Sequence, residues 1–144
     1  MANIKRLVES NQLKTSYLSK IQHKGSFFFN FDDQSDILML LFVSPKTKTI
    51  VHYVDRYVSI LYTPDDFEIV GLQIEDFQSD FIPLYSELQK AWCLSNFVVN
   101  NENIWDLTLR VEERKLNVAL QVIRAKHKVI GKPAKEFERV LERV

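Results

Sequence analysis

The run Ile37-Leu38-Met39-Leu40-Leu41-Phe42-Val43 constrains this chain more than any other segment. Seven apolar residues in succession leave no polar face for an amphipathic helix, and Asp36 and Ser44-Pro45 close the run at either end. A run that short suits a strand covered on both faces. Its surroundings are also β-like. Phe27-Phe28-Phe29-Asn30-Phe31 reads as a preceding aromatic strand, joined to it by the polar turn Asp32-Asp33-Gln34-Ser35. Residues 48–55 and 57–63 are rich in β-branched and aromatic types and give strands three and four. Pro64-Asp65-Asp66 is a tight turn, and residues 67–74 form a fifth strand in which Gly71 marks a bulge or a close backbone approach.

Helical spacing flanks this region. Residues 3–22 read as a helix through Ile4, Leu7, Val8, Leu18 and Ile21. Phe77, Phe81, Leu84, Leu88 and Trp92 recur at intervals of three and four and fall on one helical face, with Pro83 near the first turn. Trp105, Leu107, Leu109 and Val111 alternate with polar residues, which predicts a sixth strand over 105–111. Glu112-Glu113 then opens a helix whose broad apolar face carries Leu116, Ala119, Leu120, Ile123 and Ile130, with Lys126 and Lys128 at its end. Gly131 stops it, and Pro133 starts a last helix over 134–143. The expected fold is α+β: a mostly antiparallel β-meander of about five to six strands, packed with N-terminal and C-terminal helices. We expect a single domain over residues 1–144. Its β-rich core spans about 26–75, and a helical and mixed part spans about 76–144.

Composition limits the classes of function. With 144 residues, 46% of them hydrophobic, the chain is long enough to bury one core. The seven-residue apolar run is far too short to span a bilayer, and the first residues lack an apolar core of signal-peptide length. Cys93 is the sole cysteine, which excludes an intrachain disulfide and a cysteine-based zinc site. These features predict a cytoplasmic protein with no membrane partner and no cofactor. The sheet's apolar run on both sides predicts that it needs cover on both faces, from helices or from a second subunit, so a homodimer is expected.

Residues 29–75 resemble a family of small β-rich domains of unknown function found in bacteria and archaea. The resemblance rests on Phe31-Asp32, on Asp36-Ile37-Leu38, on Val58-Ser59-Ile60-Leu61-Tyr62, on the turn Pro64-Asp65-Asp66 and on the closing Val70-Gly71-Leu72-Gln73-Ile74-Glu75. It implies a β-meander, covers about a third of the chain, and transfers no catalytic residue. Lys24-Gly25-Ser26-Phe27-Phe28-Phe29-Asn30-Phe31 also resembles the base-stacking strand of RNA-recognition domains. Ser26 and Phe27 break that pattern, two acids follow at once, and a buried aromatic strand accounts for it better.

Charge is balanced overall and uneven along the chain. Residues 1–24 hold five basic residues against one acid, 25–109 hold four against thirteen, and 110–144 hold ten against five. Basic ends that fold over an acidic middle explain this, and so does a basic tail that meets an external anion. In the second reading the contact is Arg124, Lys126, Lys128 and Lys132, which have no acidic neighbour in sequence. Asp32, Asp33 and Asp36 form the densest carboxylate cluster and are the candidate ligands for a hard divalent cation. His23, His52 and His127 show no metal-ligand spacing, and no nucleophile elbow or phosphate-cradling loop is present. The leading expectation is therefore a non-enzymatic interaction or accessory domain that self-associates and engages a protein partner. The alternatives are a nucleic-acid-associated protein using the basic C-terminal helix, and a metal-dependent enzyme with a carboxylate site.

Overall fold

The protein is described here from a computed structural model, which describes residues 9–20, 27–95 and 104–142. Five strands form one antiparallel sheet: β1 (Phe28–Asp32), β2 (Ile37–Leu41), β3 (Ile50–Tyr53), β4 (Val58–Tyr62) and β5 (Ile69–Glu75). Their spatial order is β1-β2-β5-β4-β3. β1–β2 is a hairpin and β3–β4–β5 a three-strand meander. The connection after β2 crosses to the far edge, so β5 returns to pair with β2 at the centre. This is the α+β class that the sequence predicts.

Gly71 makes that central pairing possible. A Cβ there would press on the Leu40 carbonyl oxygen and on Leu41 Cδ2 of the neighbouring strand. Beside it the β4–β5 register slips, because Leu61 pairs with Gly71 while Tyr62 pairs with Ile69. Val70 is the extra residue, and its carbonyl accepts the Phe42 amide at 2.8 Å. The bulge and the close approach expected from Gly71 are both present.

Helices cover one side of the sheet. They are α1 (Ser16–Lys20), α2 (Ser86–Ser95), α3 (Ile104–Ala125), α4 (His127–Ile130) and α5 (Lys132–Glu142). Alternation along the strands sends Leu38, Leu40, Val58, Ile60, Leu72 and Ile74 towards them, and all six are buried. The helices answer with Leu18, with Val118, Ala119, Val122 and Ile123 at helical spacing, and with Ala134, Phe137, Val140 and Leu141. Phe42 stacks on Phe137, 5.3 Å between ring centres. A chain of aromatic contacts runs from Phe31 through Trp92, Phe77 and Phe81 to Tyr57 and Tyr85.

Three sequence expectations need correction. Residues 105–111 are helical and belong to α3, so the sheet has five strands. Once residues 112–125 adopt a helix, extending it backward adds one hydrogen bond per residue without a new nucleus, which outweighs a short alternating pattern. The helix expected over 3–22 is confined, among described residues, to Ser16–Lys20 after a 3₁₀ turn at Ser10–Gln12. Between them Lys14 lies extended beside Glu68: its amide donates to Phe67 O and its carbonyl accepts from Ile69 N. It takes the backbone edge of β5 that β2 vacates. Finally, Phe77–Phe81 is a π-helical turn and Ile82–Leu84 a 3₁₀ turn before α2 begins. That change of pitch leaves Phe77, Phe81 and Leu88 inside and turns Leu84 out to solvent.

Candidate functional site

Two of the three carboxylates expected to gather around a metal, Asp32 and Asp36, are spent on backbone amides. Asp32 Oδ1 accepts the Gln34 amide at 3.0 Å and the Ser35 amide at 3.5 Å, closing the β1–β2 turn, and these bonds lower its pKa. Asp36 sits at φ 59°, a left-handed conformation that Asp tolerates. It accepts Phe77 N on its carbonyl at 3.0 Å, and Gln78 N and Ser79 N on its carboxylate at 2.7 and 3.0 Å. Partial burial would raise its pKa, and the amide bonds overcome this and hold it below the usual carboxylate value. Asp36 thus pins the start of the π-helical turn to the β1–β2 turn. Asp33 is exposed in the same turn. Among the described residues no group of three or more His, Cys, Asp or Glu side chains could hold a metal ion.

The basic candidates are also divided. Arg124 lies 3.4 Å from Glu138 and 3.5 Å from Glu142 across the α3–α5 contact. Lys126 Nζ sits 2.9 Å from Asp55 Oδ2, with its side chain only 13% exposed. The lack of acidic neighbours seen in sequence is therefore a property of the sequence alone. Lys128 and Lys132 are exposed. Of the stacking-strand motif, Lys24, Gly25 and Ser26 lie outside the described residues. Phe29 and Phe31 pack against the core and are half-buried, so the aromatic strand is an edge strand and not a buried one.

Lys126 and Asp55 form the most enclosed charged pair among the described residues. Asp55 Oδ1 accepts the Tyr57 and Val58 amides at 2.9 and 2.8 Å, which leaves Oδ2 for the ammonium. The rings of Tyr57, Phe81 and Tyr85 surround Nζ at 5.8, 5.9 and 6.0 Å from their centroids, within cation–π range. Burial alone would lower the Lys126 pKa, and its hydrogen bonds to Asp55 and Tyr85 reverse the effect and raise it. Burial likewise opposes ionisation of Asp55, and the bonds from Lys126, Val58 and Tyr57 lower its pKa nonetheless. Both groups stay charged at neutral pH, so the pair fastens the α3–α4 junction to the β3–β4 turn. It is not poised to exchange a proton. One local signal existed for Lys126: it shares a helical face with Ile123 and Ile130. Nothing local pointed to Asp55, 71 residues away.

Beyond this pair lies an open cleft of about 620 Å³. Leu13, Val54, Ile60, Ile69, Val129 and Ile130 line it, and Lys14 and Lys132 also border it. Gly131, at φ 81°, borders it with open space where a Cβ would stand. No acidic residue is among the described residues that line it.

The sheet's other side presents Phe28, Leu41, Leu61 and Val51 in one cross-strand row, and Asn30, Met39, Gln73, Ser59 and Tyr53 in the next. Leu41, Leu61 and Ser59 at its centre are buried. Phe28, Ile37, Met39 and Val51 are half-buried, and Tyr53 is 64% exposed. Ser59 Oγ finds no hydrogen-bond partner among the described residues.

Comparison with protein-family models, with curated proteins and with solved structures finds no match for this chain. No helix among the described residues is long and apolar enough to cross a membrane.

Proposed function

We propose that this chain is a non-enzymatic interaction domain that self-associates through the side of its sheet away from the helices. The observation that carries this reading is the apolar content left on that side. Phe28, Ile37, Met39 and Val51 keep part of their surface in water, and Tyr53 keeps most of it. Apolar surface of this kind gains free energy when a second sheet covers it. A two-fold-related copy brings the same rows face to face, the arrangement of aligned sheet packing.

The test is native mass spectrometry and light scattering on the whole chain, with and without Met39→Glu. The expected result is a dimer at micromolar concentration that becomes a monomer in the variant, whose melting temperature no longer depends on protein concentration. A wild-type protein that stays monomeric at high concentration overturns the reading.

A further inference from the structure

We propose that the cleft between the Lys14 segment and the α4–α5 turn binds an aliphatic carboxylate, free in solution, as a site separate from the self-association face. Its walls decide the apolar part of the ligand. Leu13, Val54, Ile60, Ile69, Val129 and Ile130 are all aliphatic, and no aromatic ring is among the described residues that line the space. Such a surface favours a flexible hydrocarbon chain, because it offers nothing for a planar ring to stack against. At about 620 Å³ the cleft lies within the size range of small-molecule sites.

The rim decides the charged part. Lys14 reaches the cleft from the extended segment beside β5, and Lys132 from the first residue of α5. Both are exposed, and neither makes an ion pair among the described residues. Glu136, the acid nearest Lys132 in sequence, pairs with Arg139 at 3.0 Å. Glu68 accepts from the Ser16 hydroxyl and from Tyr17 N, and Asp55 holds Lys126. Two ammonium groups over an aliphatic floor complement one anionic head on an apolar tail. At Gly131 the missing side chain leaves the wall open, so a ligand can lie against the backbone.

The experiment is calorimetric titration of the full chain with octanoate, kept below its micelle concentration, and in parallel with octan-1-ol as its neutral counterpart. One octanoate per chain is expected, with backbone amide shifts in NMR spectra at Thr15, Val129 and Gly131. Octanol is expected to bind about tenfold more weakly, because it lacks the charge-assisted contacts. Lys14→Gln and Lys132→Gln should each weaken octanoate by about tenfold and leave octanol unchanged. Lys128→Gln, an exposed lysine outside the cleft, should change neither. The proposal is overturned if octanoate fails to saturate, if octanol binds equally well, or if Lys128→Gln weakens binding as much as Lys132→Gln. An acidic peptide that shifts the same amides while octanoate does not would also overturn it and assign the cleft to a protein partner.

Discussion

The two sides of the sheet are built from the same five strands and have opposite character. Towards the helices every central position is apolar and closed: Leu38, Leu40, Val58, Ile60, Leu72 and Ile74 are at most 4% exposed. On the other side buried Leu41 and Leu61 share the surface with Asn30, Gln73, Glu75 and Tyr53. The helix-facing side also contains the enclosed Lys126–Asp55 pair, which ties the α3–α4 junction to the β3–β4 turn. Burial by itself is thus a poor guide to which side carries stability. Density of neighbours and the engagement of charges separate them better.

The largest expected effect comes from opening the helix-facing side. Leu72→Ala removes a fully buried side chain between Leu40 and Ile60 and should cost about 2–5 kcal/mol in urea unfolding, through lost transfer energy and a residual cavity. A cost near that of an exposed position would erase the distinction between the two sides.

Next is the ion pair. Lys126→Met strands a partly buried Asp55 and should cost about 2–4 kcal/mol at neutral pH. Its pH dependence sharpens the point. The Lys126 pKa is raised above the ordinary 10.5, so its contribution is complete below that value and is lost as pH climbs through the folded-state pKa. The Asp55 pKa is lowered from 3.8, so its contribution is complete above that value and fades as pH falls through the folded-state pKa. Melting temperatures measured across pH should show the alkaline loss shrink in Lys126→Met. The acid loss should be reduced and still present, because Tyr57 N and Val58 N continue to bond Asp55.

A smaller effect is expected at the turn that joins strand to helix. Asp36→Ala removes two amide acceptors and places a Cβ-bearing residue with no local hydrogen bond at φ 59°, costing about 1–2 kcal/mol. Asp36→Gly keeps the backbone conformation and should recover part of that loss in the same unfolding assay. Smallest of all is Tyr53→Thr on β3, which should shift stability by less than about 0.5 kcal/mol while weakening the dimer. A fall in melting temperature as large as that of Leu72→Ala would show that the open side is already a closed core.

Much of the sheet is legible in sequence because its signals are local. The apolar run at 37–43, the Asp-rich turn and Gly71 inside a strand each act through residues a few positions apart. Two local signals misled for one reason. The alternation at 105–111 and the spacing at 3–22 are too short to overrule what the adjoining chain does, a long helix in one case and the pairing of Lys14 with β5 in the other. Phe77 to Trp92 keeps a helical spacing in sequence, yet the π and 3₁₀ turns rotate Leu84 off the buried face. The charged residues were the least legible. Arg124 and Lys126 look unopposed along the chain, and their partners Glu138, Glu142 and Asp55 arrive only through packing.

The attachment of α1 sets an order on synthesis. Lys14 pairs with residues 67–69, Tyr17 bonds the Phe42 carbonyl at 3.0 Å, and the Leu18 carbonyl accepts from Arg139. Leu18 is therefore made 121 residues before Arg139, the side chain that holds its carbonyl. Until α5 has emerged, Leu18 and the sheet surface it shares with Phe137 lack their cover. The nascent chain carries that apolar surface through the synthesis of the residues in between, an interval in which exposed apolar surface favours association.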